Sequence, residues 1–232
     1  MNGLPARLLL VTDRHGSDLP LLRRVGAALE AGARWIWLRD RDLPEAERAA
    51  LAADLARLVR GAGGRLTIGR DVDLAARIGA DGVQLASAAV VAEARARLGP
   101  GALIGLSAHR LAEIAAAREA GADYATLSPI FASASKPGYG PALGPAALAQ
   151  AARTGLPVIA LGGVEPGTAP ACLAAGAAGV AVMGGVMRAA DPGAAVQALL
   201  KAMAREPRDP LFRVGEGYGD RRSHVRVPDP SE

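Results

Sequence analysis

Four times along this chain an Ala-rich segment ends in the same way, in a short run of small residues with one glycine, followed by an apolar run. The joins are EAGA (30–33) ahead of WIWL, IGAD (78–81) ahead of GVQL, EAGAD (119–123) ahead of YATL and AAGA (174–177) ahead of AGVAVM. Gly32, Gly79, Gly121 and Gly176 suit the left-handed position that closes a helix, where a Cβ would clash. A chain that passes from helix to buried strand by one repeated device is an alternating α/β chain.

Taking the apolar runs as strands gives eight: Leu8–Val11, Trp35–Leu38, Leu66–Ile68, Val83–Leu85, Leu103–Leu106, Tyr124–Leu127, Val158–Leu161 and Val180–Met183. Strands that are apolar throughout, with helices between them, belong to a parallel sheet covered on its outer face. Eight such units in ~200 residues predict a closed (β/α)8 TIM barrel and one domain, residues 1–206. The competing architecture is an open doubly wound sheet, which calls for GxGxxG after its first strand; VTDRHGSD stands there instead.

Composition narrows the function. Half of the 232 residues are hydrophobic, which excludes a chain disordered throughout, and only 3% are aromatic, which excludes a platform of stacked aromatics for nucleic acid. The net charge of +4 comes from arginines scattered among acids rather than clustered, so nucleic acid is not an expected partner. No apolar run approaches the roughly 20 residues of a membrane span, and the start of the chain has no basic segment of a leader, so a cytoplasmic setting is expected. The single cysteine, Cys172, sits in an Ala-rich helical stretch and reads as a small buried hydrophobe. From Pro207 the chain is rich in Pro, Gly and charge, and a disordered tail over 207–232 is expected. Its five arginines and five acids cancel, so the positive excess belongs to residues 1–206 and hints at an anionic ligand.

Barrel chemistry sits where strands end. After the seventh and eighth strands come Gly162–Gly163 and Gly184–Gly185, pairs that let backbone N–H groups approach a phosphate. The long stretch from Ser128 to Pro145 offers Ser133, Ser135 and Lys136, two hydroxyls and a cation suited to a phosphate or diphosphate, or equally a solvated loop. Arg39 and Arg41 alternate after the second strand and so share a side; Arg41 has Asp40 and Asp42 at hand as simple ion-pair partners. Ser107 closes the fifth strand, Ala108–Leu111 open a helix, and His109 stands between them. His15 shares the first loop with Asp13 and Arg14, and His224 lies in the tail.

The order VTD, LRDR, GADGVQL, IGLSAH, GADYATLSPIFASASKPG, PVIALGG and GVAVMGG resembles the thiamine-phosphate synthase and thiazole tautomerase family from residue 8 to about 203. The resemblance implies a barrel enzyme of thiamine biosynthesis that takes small phosphate substrates. The synthase joins hydroxymethylpyrimidine diphosphate to a thiazole phosphate and releases pyrophosphate; the tautomerase branch isomerises the thiazole carboxylate phosphate. By resemblance, Arg39 faces the diphosphate, Arg41 stands where lysine is usual, Ser133, Ser135 and Lys136 match a Thr-x-Thr-Lys loop, Ser107 matches the serine after strand five, and Gly163 and Gly184 match the thiazole phosphate cradle.

The departures are equally specific. Trp37 replaces the glutamine of Gln-x-Arg; Ile68, Gly69 and Arg70 stand for Ile-Asn-Asp; Gln84 to Ala89 stand for His-Leu-Gly-Gln-x-Asp. The family implies Mg2+, yet both of its carboxylates are replaced, at Arg70 and Ala89. GRDVDLA and VQLAS resemble the tautomerase branch more closely, but the proton-transfer histidine of that branch falls at Pro129. The leading expectation is a synthase of altered metal dependence in which Arg39, Arg41, Arg70 and Lys136 carry the charge; the others are an isomerase using His109 or a non-catalytic phosphate binder. Self-association into homo-oligomers stays open at this level.

Removing residues 207–232 is expected to shift the thermal midpoint by no more than a few degrees, because a segment poor in apolar residues contributes little burial. A scanning calorimetry trace of the shortened chain checks this; loss of the folding transition refutes it.

Overall fold

The computed structural model describes residues 3–40, 42–132 and 141–204. The strands are β1 (Leu8–Val11), β2 (Trp35–Leu38), β3 (Arg65–Gly69), β4 (Gly82–Leu85), β5 (Leu103–Ala108), β6 (Tyr124–Leu127), β7 (Val158–Leu161) and β8 (Gly179–Val182). They pair in parallel in chain order, and β8 joins β1 to close a TIM barrel. The outer helices are α1 (Leu21–Glu30), α2 (Glu45–Gly61), α3 (Val72–Ile78), α4 (Val91–Leu98), α5 (Leu111–Glu119), α6 (Gly144–Ala152) and α7 (Ala169–Ala174), then the single turn α8 (Gly184–Met187) and α9 (Pro192–Ala204). The expected tail, 207–232, lies outside the described residues.

Strand periodicity divides the apolar residues into two cores. Leu8, Leu10, Ile36, Leu38, Leu66 and Ile68 face outward and pack beneath the helices. Their neighbours Leu9, Val11, Trp35, Trp37, Leu103, Tyr124, Ile159 and Ala181 fill the barrel interior. Trp35 and Tyr124 meet edge to face across that interior with ring centroids 4.8 Å apart. Gly105 makes room for them: a Cβ there would stand 2.2 Å from Tyr124 Cζ.

The glycine joins form as expected, with φ of 107° at Gly32, 61° at Gly79, 83° at Gly121 and 92° at Gly176. Two joins carry an aspartate with a further task. Asp81 accepts hydrogen bonds from Leu66 N (2.8 Å) and Arg65 Nη1 (2.7 Å), and Asp123 from Ile104 N (2.8 Å) and Arg95 Nη2 (2.7 Å). Each carboxylate thus anchors the start of the preceding strand. One expectation is corrected: Ala108 does not open a helix. It pairs with Leu127, its carbonyl accepts from Ser128 N (3.0 Å), and the extended Arg110 delays α5 until Leu111. Cys172 is buried and its thiol is pushed up to about 11 by loss of solvent, in keeping with a packing role. No helix among the described residues is long and apolar enough to cross a membrane.

Asp123 is the more buried of the two strand anchors, so Asp123→Ala is expected to cost about 2–3 kcal/mol, lowering the midpoint by roughly 5–10 °C. Asp81→Ala, at a half-exposed site, is expected to cost less than half of that; equal midpoints in thermal denaturation would contradict the argument.

Candidate functional site at the C-terminal mouth of the barrel

Toward the strand C-termini the interior becomes polar. Gln84, in β4, donates from Nε2 to Ser107 Oγ (3.1 Å) and Thr126 Oγ1 (3.3 Å), linking three neighbouring strands. Gln84 Oε1 and Trp37 Nε1 are buried without a partner among the described residues. A layer of amide, hydroxyl and indole groups therefore lies above the apolar filling. Trp37 crowds its neighbour: a Cβ at position 69 would lie 3.0 Å from Trp37 Nε1 and from Leu38 O, so a side chain there would press on both. The departures at 37 and 69 thus adjoin each other on neighbouring strands.

Around β1, β2 and β3 the rim is organised by arginines. Asp13 receives Arg188 through Nε (3.1 Å) and Nη2 (2.6 Å). Asp40 receives Thr12 Oγ1 and Arg14 N, and Asp42 receives Arg14 Nη2 (2.5 Å) and His15 Nε2 (2.9 Å). The His15 hydrogen bond, with Arg14 close by, holds the Asp42 carboxyl below its usual range. Arg24, buried on α1, donates to the carbonyls of Asp13 (2.8 Å), Arg14 (3.0 Å) and Met187 (2.7 Å), joining the β1 loop to α8. Arg48, on α2, donates to Asp40 O (3.1 Å), Gly69 O (2.8 Å) and Asp71 Oδ2 (2.5 Å). It ties the ends of β2 and β3 together. None of Arg24, Arg48, Gln84 or Thr126 stands out in the sequence as a site residue.

Of the residues singled out in the sequence, Arg39 leaves β2 half-buried with its N–H bonded to Thr12 Oγ1 (2.9 Å). Ser107 lies in the polar layer. Arg70 is exposed in an open cleft of about 430 Å3 and has a φ of 62°, the one positive value outside glycine among the described residues. Gly162 and Gly163 also have positive φ, 95° and 63°, and the loop after β6 comes close to them: a Cβ on Gly163 would lie 2.4 Å from Ala132 O. Leu161 pairs with Ala181, so Gly184 and Gly185, which open α8, emerge beside that pair. His109 donates from Nδ1 to Ser128 O (2.8 Å), and its N–H binds Glu113. Burial raises the Glu113 pKa, but the His109 N–H and Arg110 outweigh it and hold the carboxyl low. Arg41, Ser133, Ser135 and Lys136 lie outside the described residues; Asp40 and Asp42, the partners considered for Arg41, are engaged by Arg14 and His15.

At the positions where the family's carboxylates are expected, the side chains present do not fit magnesium. That hard cation takes carboxylate and other oxygen ligands. Positions 69, 70 and 89 offer Gly69, a guanidinium and Ala89, while Asp13, Asp40, Asp42 and Asp71 are each held by arginine. Among the described residues no three His, Cys, Asp or Glu side chains gather as a metal site.

A closed barrel whose interior is apolar below and polar at the strand C-termini, beneath loops rich in glycine and arginine, defines a (β/α)8 enzyme. The model of the thiamine monophosphate synthase family matches residues 8–186, and the chain belongs to that family. It is 42% identical over 207 residues to the putative thiamine-phosphate synthase of Geobacter sulfurreducens, covering 87% of this chain and 96% of that one. It is also 42% identical over 181 residues, 77% of this chain, to a thiamine biosynthesis bifunctional protein ThiM/ThiE of Symbiobacterium thermophilum, of which it spans 38%. Among solved structures, the thiamine phosphate pyrophosphorylase of Pyrococcus furiosus superposes with a TM-score of 0.75 at 30% identity, over 85% of this chain and 95% of that one.

Arg48→Met is expected to destabilise by about 2–4 kcal/mol, because it leaves two carbonyls and the Asp71 carboxylate without their donor. Arg48→Lys keeps the charge but loses the fork and is expected to fall between. Urea denaturation of the three proteins ranks them, and a methionine variant as stable as the parent removes Arg48 from its clamping role.

Proposed function

We propose that this chain is a thiamine-phosphate synthase acting in the cytoplasm on two phosphate-bearing substrates. The observation that carries the reading is the polar layer of Gln84, Ser107 and Thr126 at the mouth, with Arg39 at the adjoining rim, in a chain whose relatives bear that name. The Arg39 guanidinium faces the diphosphate, together with Arg41, Ser133, Ser135 and Lys136. Gly162, Gly163, Gly184 and Gly185 present N–H groups to the thiazole phosphate. Ser107, oriented by Gln84, offers its hydroxyl to the pyrimidine substrate.

The chemistry asks little of the protein in proton transfer. The C–O bond to the diphosphate breaks with its electron pair leaving on oxygen, and the thiazole nitrogen supplies the pair for the new C–N bond. Catalysis is then mainly the alignment of the two rings and stabilisation of the departing anion.

Incubation of the full chain with hydroxymethylpyrimidine diphosphate and thiazole phosphate is expected to yield thiamine phosphate and pyrophosphate in equal amounts. Ser107→Ala is expected to lower kcat/KM by roughly ten-fold. A second reading, isomerisation of a thiazole carboxylate phosphate, is favoured by His109, whose imidazole is fixed between the ends of β5 and β6. No thiamine phosphate from the wild type, together with isomerisation that His109→Ala abolishes, would put that reading in its place.

A further inference from the structure

Three residues stand in a row across β4, β5 and β6, where Gln84 pairs with Gly105 and Gly105 with Tyr124. Because the middle residue has no side chain, the outer two close over it. Tyr124 Oη lies 2.5 Å and Gln84 Oε1 2.4 Å from the point where a Cβ on Gly105 would stand, which makes the two atoms neighbours. Both residues are fully buried, and neither atom has a partner among the described residues. One is a hydroxyl that can donate, the other a carbonyl oxygen that can only accept. Unpaired, each costs free energy in such a place; turned toward each other, they satisfy both.

The direction of the Gln84 amide decides what Ser107 can do. Both N–H groups of Nε2 reach up to the next inward level, to Ser107 Oγ (3.1 Å) and Thr126 Oγ1 (3.3 Å). Ser107 Oγ therefore accepts from within the barrel, and its own hydrogen meets no acceptor among the described residues. Ser107 is less buried than Gln84, Tyr124 and Thr126, so that hydrogen is left for the mouth. With its oxygen and nitrogen exchanged, the amide would offer Ser107 an acceptor, and the serine hydrogen would turn inward and be lost to a ligand. The choice between the two orientations falls to the group facing the other end of the amide. Burial raises the Tyr124 pKa, outweighing the Thr67 hydroxyl beside it, so the phenol stays a protonated donor. Thr67 gives its own hydrogen to Ile36 O (3.3 Å).

We propose that Tyr124 is a positioning residue for the reaction: its hydroxyl, donated to Gln84 Oε1 across Gly105, fixes the amide so that Ser107 presents its hydrogen to the pyrimidine diphosphate. The proposal rests on the synthase reading and deepens it. A donor aligned before the substrate arrives needs no rearrangement during the reaction, and hydrogen bonds that run one way along a chain strengthen its last member.

The test is a double-mutant cycle on the full chain with magnesium present throughout. It is read by calorimetric titration with hydroxymethylpyrimidine diphosphate and by kcat/KM for thiamine phosphate formation. Tyr124→Phe removes one buried oxygen and is expected to keep the thermal midpoint within about 3 °C. Affinity and kcat/KM are each expected to fall roughly five- to ten-fold, nearly as far as in Ser107→Ala. Adding Tyr124→Phe to Ser107→Ala is expected to change either reading by less than about two-fold, because the residue through which Tyr124 acts has gone. Gln84→Met breaks the same link from its other side, and is expected to match Tyr124→Phe and to be equally silent beside Ser107→Ala. Losses that multiply in the double variants, or a Tyr124→Phe protein that binds and turns over like the wild type, would overturn the proposal. Product formed with multiplying losses leaves the synthase reading intact and removes the positioning role. Coupled losses of affinity with no product leave the positioning role and remove the synthase reading. A wild type that does not bind the pyrimidine diphosphate removes both.

Discussion

Closure of β8 onto β1 is the constraint from which the rest follows. Once eight strands share a ring, every second residue is committed to an interior that cannot expand. The filling must then be shared between bulky and absent side chains. Trp35 and Tyr124 occupy the middle and Gly105 yields space to Tyr124, while Gly82 and Gly179 lie against neighbouring backbone: a Cβ on Gly82 would lie 1.9 Å from Leu103 O, and one on Gly179 would lie 2.4 Å from Arg7 O. With the lower barrel filled largely by hydrocarbon and aromatic rings, the hydrogen-bonded layer of Gln84, Ser107 and Thr126 lies toward its C-terminal end. The position of the site is thus an outcome of packing.

At that end the chain has spent its acids on structure. Asp13, Asp40, Asp42 and Asp71 hold the β1, β2 and β3 loops through arginine forks and backbone amides. Partly buried pairs of this kind contribute less to net stability than to fixing one arrangement. The arrangement fixed here aligns the ends of β2 and β3 through Arg48. Trp37 and Gly69 adjoin in the same crowded space, the indole nitrogen standing 3.0 Å from where a Cβ at 69 would lie.

The repeated glycine joins made the barrel legible, because a positive φ at a helix end is a local demand that sequence records directly. Boundaries set by pairing were less so: Ala108 and His109 resemble a helix start, and only the partner strand β6 keeps Ala108 extended. At the barrel mouth, the positions of Arg39, Ser107 and the glycine pairs were legible from their place after apolar runs. Arg24 and Arg48 were not, since arginine in a helix ordinarily faces water. A signal was nevertheless present: Arg24 falls in the stripe of Leu21, Val25 and Ala28, and Arg48 in that of Ala52, Leu55 and Val59, where an unpaired charge has no business. The coupling of Trp37 to Gly69 depends on the register of two strands and has no local trace.

The Arg24 clamp carries a kinetic meaning as well. Its bond to Met187 O joins residues 163 positions apart, across the seam where the ring closes. A contact of that separation must wait for the intervening units to assemble, because the entropy of closing so long a loop is repaid last. Interactions absent from the folding transition state govern how fast the native state opens rather than how fast it forms. Arg24 is therefore expected to act more on how fast the barrel opens than on how fast it forms, through one side chain and three backbone carbonyls at the one place where the ring has two ends.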